Sequence, residues 1–321
     1  MRGGVYKIDA APKREGHTGI SLPELLVAMI LVGLLLTATF YVFSAFFSKS
    51  LAQQRESLTQ ADAQVGAQFI KWDIFMAGYG MPSSVIPISN QDNAGENGSD
   101  ILTLQSVAFG PSGRAGKWTY MLSPANGTNQ ILVRRWNDPQ QDITKGDYII
   151  ILSPAKGQVG LPVYQVTDTA TAVGPTGQDA WLLTLNNIVN SSLNFVFSVG
   201  SATGPQSVTY YVQNGNLMRD STIFMPNVVN FQVRFWVDLD GDKQVDAGEE
   251  MDDLSAVTYN PSLLDNIRLM RISIVSATRQ PEGYYYPRDT IVVANQIINT
   301  DNYGRNLRYD LWQTIIRPRN L

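Results

Sequence analysis

One twelve-residue run could do chemistry: Asp238-Leu239-Asp240-Gly241-Asp242-Lys243-Gln244-Val245-Asp246-Ala247-Gly248-Glu249. Its carboxylates fall at the first, third, fifth, ninth and twelfth positions, with Val245 at the eighth. Calcium takes about 6–8 hard oxygen ligands, and the EF-hand loop supplies them at this spacing, with a backbone carbonyl at the seventh position and a bidentate Glu at the twelfth. The candidate ligands are therefore Asp238, Asp240, Asp242, Gln244, Asp246 and Glu249, and the candidate ion is a structural Ca2+. Four Asp and a Glu this close repel one another unless a cation intervenes. Lys243 departs from the pattern, because the sixth position calls for Gly. A left-handed backbone there costs a non-Gly residue roughly 1–2 kcal/mol, and the ammonium adds positive charge. A strand-like run rather than a helix enters the loop at Val237. The segment thus reads as an isolated EF-like calcium loop, with a solvated acidic turn as the alternative. A bound ion would fix the long connection between runs 228–237 and 269–275.

A second carboxylate stands out because it is alone. The stretch 19–47, GISLPELLVAMILVGLLLTATFYVFSAFF, carries a single charge, Glu24. A bilayer core about 30 Å thick needs about 20 mostly apolar helical residues, and 20–47 exceeds that with no Lys, Arg or Asp inside. A carboxylate in hydrocarbon costs several kcal/mol unless it is paired or neutralised, and no Lys or Arg lies within helical reach of Glu24. Either a partner from another chain meets it, or it snorkels to the membrane edge.

What is missing narrows the chemistry further. The 321 residues include no Cys, and the one His, His17, precedes the apolar stretch. A Ser-His-Asp triad, a Cys nucleophile and the usual His/Cys zinc sites are thereby excluded beyond residue 17, and no disulfide can rigidify the fold. Only hard, oxygen-liganded cations remain as structural metals. The formal charge is −4, and removing residues 1–19, which carry a net +2, leaves −6. That balance disfavours direct nucleic-acid binding by phosphate neutralisation.

These residues must be positioned by two kinds of element. From Ser48 the pattern becomes amphipathic, with Leu51, Leu58, Val65 and Trp72 every seven residues and Ala61, Gln68 or Phe69, and Phe75 or Met76 in a second row. The spacing predicts a continued helix whose apolar stripe packs onto the following domain. Gly78, Gly80 and Pro82 end it. Beyond Pro82 the chain breaks into short β-like runs, clearest at 101–109, 130–136, 147–152, 181–185, 193–199, 208–212, 228–237, 269–275 and 290–298. Asn214-Gly215 between two such runs is a hairpin signal. The polar stretch 90–100, NQDNAGENGSD, reads as a surface loop without chemistry.

Weaker signals are set aside. GPSGRAGKW at 110–118 departs from a phosphate loop at Pro111 and Trp118. Tyr284-Tyr285-Tyr286 reads as a packed loop or, less simply, as an exposed aromatic contact for a partner or glycan. Glu249, Glu250, Asp252 and Asp253 adjoin the acidic loop and read as tuning it or facing water.

A basic leader, Gly19, an apolar helix beginning at Ile20, and Glu24 five residues past the Gly together resemble the type IV prepilins. WDIFMAGYG at 72–80, VTYYVQNGNLMR at 208–219, VVNFQVRFWVDLDGD at 228–242 and the closing IIRPRNL at 315–321 are similar to the PilW-type minor pilins. Pro23 and the acidic Asp9 and Glu15 depart from the commonest pattern. A Pro in a first helical turn lacks only an N–H that is unpaired anyway.

The resemblance implies an α+β, type IV pilin-like fold, a long N-terminal hydrophobic helix packed on a large antiparallel β domain. It divides the chain into a cleaved leader (1–19), a transmembrane and filament-core helix (20–47), its amphipathic continuation (48–80) and a globular β domain (81–321). It implies cleavage between Gly19 and Ile20 by a prepilin peptidase, N-methylation of Ile20, and storage as a single-pass inner-membrane protein before assembly at the cell surface. Glu24 would meet the N-terminal amine of a neighbouring subunit, and the partners would be other minor and major pilins. The function implied is structural and non-enzymatic, priming or capping pilus assembly. A type II secretion pseudopilin shares the same chemistry. A membrane-anchored, calcium-stabilised adhesin would leave the offset from Gly19 to Glu24 as coincidence. A calcium-dependent glycan hydrolase would need a carboxylate pair about 5–10 Å apart, and the sequence isolates none outside the acidic loop.

Overall fold

Ser21 opens the helix of the computed structural model, which describes residues 21–109, 114–255, 265–280 and 283–320. Its backbone N–H and its hydroxyl both donate to the Glu24 carboxylate at 2.9 Å, so Ser21-Leu22-Pro23-Glu24 ties off one orphan N–H of the first turn as a capping box does. Helix α1 then runs from Leu22 to Met76, 55 residues, and after Pro23 no proline interrupts it. Hydroxyls inside its apolar part are satisfied locally: Thr37 and Thr39 donate to the carbonyls of Gly33 and Leu35. Gly78 and Gly80, at φ +80° and +63°, supply the left-handed backbone that ends it.

Packing divides the chain into two compact units, one ending at Gln53 and one running from Gln54. In the first, every helical residue from Leu22 to Ser50 is exposed, Leu22, Phe40 and Tyr41 by 80%, 73% and 75%. Among the described residues α1 is the one helix long and apolar enough to cross a membrane.

In the second unit the rest of α1 meets the β structure through a face that differs from the expected stripe. Leu58, Val65 and Trp72 point outward and are 58%, 57% and 60% exposed, while Ala67, Ile70, Ile74 and Ala77 are buried. The heptad expectation is corrected, and the cause is steric. Small residues let a helix approach a sheet closely, and a Cβ on Gly66 would lie 2.5 Å from the Met225 side chain.

The β structure comprises, among the described residues, β1 (Ile88–Gln91), β2 (Ile101–Ser106), β3 (Trp118–Tyr120), β4 (Ala125–Arg134), β5 (Tyr148–Leu152), β6 (Tyr164–Val173), β7 (Asp179–Ser191) and β8 (Phe195–Val199). There follow β9 (Gln206–Gln213), β10 (Asn216–Arg219), β11 (Thr222–Pro226), β12 (Val228–Val237), β13 (Glu250–Met251), β14 (Ile267–Arg279), β15 (Thr290–Val293), β16 (Gln296–Asn299) and β17 (Leu307–Ile316). These strands pair antiparallel. The fold is α+β.

Sheet order is β1-β2-β9-β10-β11 in one layer and β13-β12-β14-β17 in another. Ile70, Ile74, Leu104, Tyr210, Phe231 and Val233 belong to the core that α1 shares with these two sheets. Asn214 and Gly215, both at positive φ, make the expected hairpin turn between β9 and β10. The run 290–298 is two strands rather than one, turning at Ala294 with φ +53°.

A six-stranded sheet of order β3-β8-β5-β6-β7-β4 has its own core, with Ile131, Ile149, Ile151, Tyr164, Leu183 and Val196 inside. Met121, directly after β3, bridges to Val133 in β4, so the two edge strands meet and the sheet closes. The apolar run in β5 follows from burial on both faces. Ile149 and Ile151 point inward, while Ile150 and Leu152 pack against Met81, Val107 and Val199.

Candidate functional site

The acidic run 238–249 connects β12 to β13, and a short ladder closes it: Phe235 pairs with Met251, Trp236 with Glu250, and the Val237 N–H donates to the Glu249 carbonyl at 3.1 Å. Asp238, at the end of β12, is wholly buried, whereas Asp240 and Asp242 are exposed. Oxygens of these three carboxylates lie within 4.8 Å of one another. Asp238 accepts the N–H groups of Gly241 at 2.7 Å and Lys243 at 2.9 Å, which winds the backbone around it. Lys243 takes φ +68°, the left-handed conformation that the sixth position demands, although it is not glycine.

The other predicted ligands are engaged within the loop or face solvent. Both Glu249 oxygens accept backbone N–H groups, of Leu239 at 2.8 Å and Asp246 at 2.9 Å. Gln244 turns its side-chain amide to Asp242 at 3.2 Å. Asp246 is exposed. The loop is therefore braced largely by its own carboxylates, with three of the six predicted ligands gathered together.

Arg268, at the start of β14, reaches Asp238 Oδ2 through Nη2 at 2.6 Å and Nε at 3.1 Å. Its guanidinium holds the Asp238 carboxyl below the ordinary carboxylate range, helped by the two N–H bonds and opposed by burial. The donor set is all hard oxygen and fits calcium in type, but a cation seated among Asp238, Asp240 and Asp242 would share Asp238 with Arg268. Arg234 plays the same part beside the loop, forking onto Asp252 at 2.6 and 2.9 Å and reaching Glu250 at 3.1 Å. Glu250 and Asp252 are thus pinned to β12 rather than free to tune an ion.

Glu24 caps the first helical turn through Ser21. Gly19 and Ile20, the predicted processing residues, lie outside the described residues, as do residues 110–113 of the phosphate-loop-like run. The tyrosine cluster splits: Tyr286 packs edge-on against Tyr309 with ring centroids 4.9 Å apart, and Tyr285, 63% exposed, lies beneath the Arg305 guanidinium at 4.9 Å.

Among the buried carboxylates that escaped the sequence reading are Asp73 and Asp100. Asp73 of α1 accepts the Tyr210 hydroxyl at 2.5 Å and Arg219 Nε at 2.9 Å, both from the sheet beneath. Asp100 is wholly buried where a surface loop was expected. It accepts the N–H groups of Val233 at 2.7 Å and Asn93 at 3.0 Å. Burial pushes its carboxyl up to about 7, against those two bonds, with the nearby Asp92 carboxylate adding to the rise. The one legible signal for Asp73 was a charge at helical spacing from Ile70 and Ala77; 90–100 gave none, because its polarity is that of any loop.

Comparison with family models, with curated proteins and with solved structures finds no match for this chain.

Proposed function

We propose that the chain is a minor prepilin of the PilW type, a non-enzymatic subunit that primes or caps a type IV filament. The observation that carries the reading is apolar surface in two settings. Residues 22–47 form an exposed apolar helix long enough to cross a bilayer. Leu58, Val65, Phe69 and Trp72 then continue apolar exposure along the same helix, each by 57% or more, in a stretch that also carries Arg55, Glu56, Asp62 and Lys71. Lipid can cover the first part. The charges put the second outside hydrocarbon, so its stripe needs protein, and aligned helices of neighbouring pilins provide it. A plain anchor would have no use for that stripe.

In this reading a prepilin peptidase cuts between Gly19 and Ile20, Ile20 is N-methylated, and the subunit waits in the inner membrane before joining other minor and major pilins at the cell surface. Glu24, besides capping its own helix, meets the amine of an adjoining subunit. The 238–249 loop takes a structural calcium ion at Asp238, Asp240 and Asp242, stiffening the β12–β13 connection. Mass spectrometry of the mature N-terminus from cells with an intact prepilin peptidase is the test. A methylated Ile20 supports the proposal; an uncut leader, or a cut elsewhere, refutes it. Calorimetry of the full chain with calcium, compared with Asp240→Asn, decides the metal separately, and absence of binding removes the ion from the proposal.

A further inference from the structure

The strongest unassigned feature is a cationic cleft at one end of the four-stranded sheet. Met270 of β14 pairs with Ile316 of β17, so Arg268, two residues before that pair, and Arg317 and Arg319, just after β17, converge at the same sheet end. With Asp265, Ile267 and Pro318 they line an open cleft of about 550 Å³. Ile267 and Pro318 are buried beneath it, while Arg317 and Arg319 are exposed.

Each guanidinium has donors to spare. Arg268 binds Asp238 through Nε and Nη2, leaving Nη1 without a partner among the described residues. Arg319 lies over the Phe75 ring at 5.2 Å, a contact that occupies the guanidinium face and not its N–H edge. Arg317 makes no ion pair among the described residues. The lining itself carries three guanidinium groups and one carboxylate, Asp265, while Asp238, wholly buried behind Arg268, gathers with Asp240 and Asp242 outside that lining. The cleft is thus locally positive on a chain whose formal charge is −4. Guanidinium forks match the paired oxygens of carboxylate and phosphate.

We infer that this cleft is an oxyanion-binding site, which takes a carboxylate or phosphate group on Arg317 and Arg319 with Arg268 Nη1 closing the third side. The site is independent of the filament reading, and it shares Arg268 with the calcium reading because that guanidinium also holds Asp238. The test is calorimetric titration of the detergent-solubilised full chain with succinate and, separately, phenyl phosphate, at low salt. Saturable binding of at least one probe is expected, and whichever binds more tightly identifies the group recognised. Arg317→Gln with Arg319→Gln should weaken it at least tenfold, and Lys145→Gln, on a distant exposed lysine, should not. Arg317→Lys, which keeps the charge and loses the fork, should weaken it several-fold and covers the case of a misfolded double variant. Absence of binding by both probes, or binding that the arginine variants leave unchanged, overturns the inference.

Discussion

Arg219→Met isolates the contact that ties the C-terminal turns of α1 to the sheet. The Asp73 side chain is 8% exposed and that of Arg219 34%. Removing the arginine leaves a buried carboxylate with the Tyr210 hydroxyl as its remaining side-chain partner. Breaking a buried ion pair on one side costs roughly 3–5 kcal/mol. Arg219 is a third exposed, so water can replace part of what it gives, and about 2–3 kcal/mol is expected. Replacing the whole cluster, as Asp73→Leu, Tyr210→Phe and Arg219→Met together, leaves no stranded charge or hydroxyl and should restore most of that loss, because apolar replacement of a buried pair is often neutral. Urea unfolding followed by tryptophan fluorescence reads both. Burial and the Asp73 carboxylate push the Tyr210 phenol up, and against its own burial the Asp73 bonds push Arg219 up, so neither titrates between pH 6 and 9. An Arg219→Met loss below about 0.5 kcal/mol, in the range of an exposed pair, would refute the reasoning. A triple variant worse than the single one would refute it equally.

Two further outcomes are expected. Asp100 has a folded-state value of about 7 against an ordinary 3.8, so between these limits the native state holds more protons than the unfolded one. Stability should therefore fall as pH rises from about 4 to 7 and level off above, by roughly 4 kcal/mol at the full shift. Urea midpoints across pH 4.5–8 should show the fall, and Asp100→Asn should flatten it; an unchanged slope in that variant would count against the assignment. Lys243→Gly should relieve the left-handed backbone at φ +68° and, after the extra entropy of an unfolded glycine, stabilise the chain by about 0.5–1 kcal/mol. A lowered melting temperature would show that the lysine side chain contributes something the backbone argument omits.

The sequence by itself determined whatever local periodicity and backbone chemistry decide. The run 22–47 was legible as a helix long and apolar enough to cross a membrane, because an unbroken apolar stretch of that length without Pro after the first turn satisfies its backbone internally. Val228–Val237 was legible as a strand to the residue, since β-branched and aromatic residues fill it except at Asn230, Gln232 and Arg234, down to Asp238. Asn214-Gly215 accepts the positive φ of a tight hairpin, and the Asp spacing at 238–242 marked an acidic loop there, which the structure winds about Asp238.

Tertiary structure decided which face of α1 is buried, because heptad spacing reports that Leu58, Val65 and Trp72 share a side and not what that side meets. The flat row through Gly66, Ala67, Ile70 and Ile74 fits the sheet more closely. It decided that Asp100 is interior, since burial of a loop carboxylate depends on a strand more than a hundred residues away offering its N–H. It also placed Arg268 against Asp238, turning a pattern that reads as cation ligands into one already partly neutralised. Spacing along a chain specifies turns and faces; which charges meet is fixed only when distant segments pack and water is excluded between them.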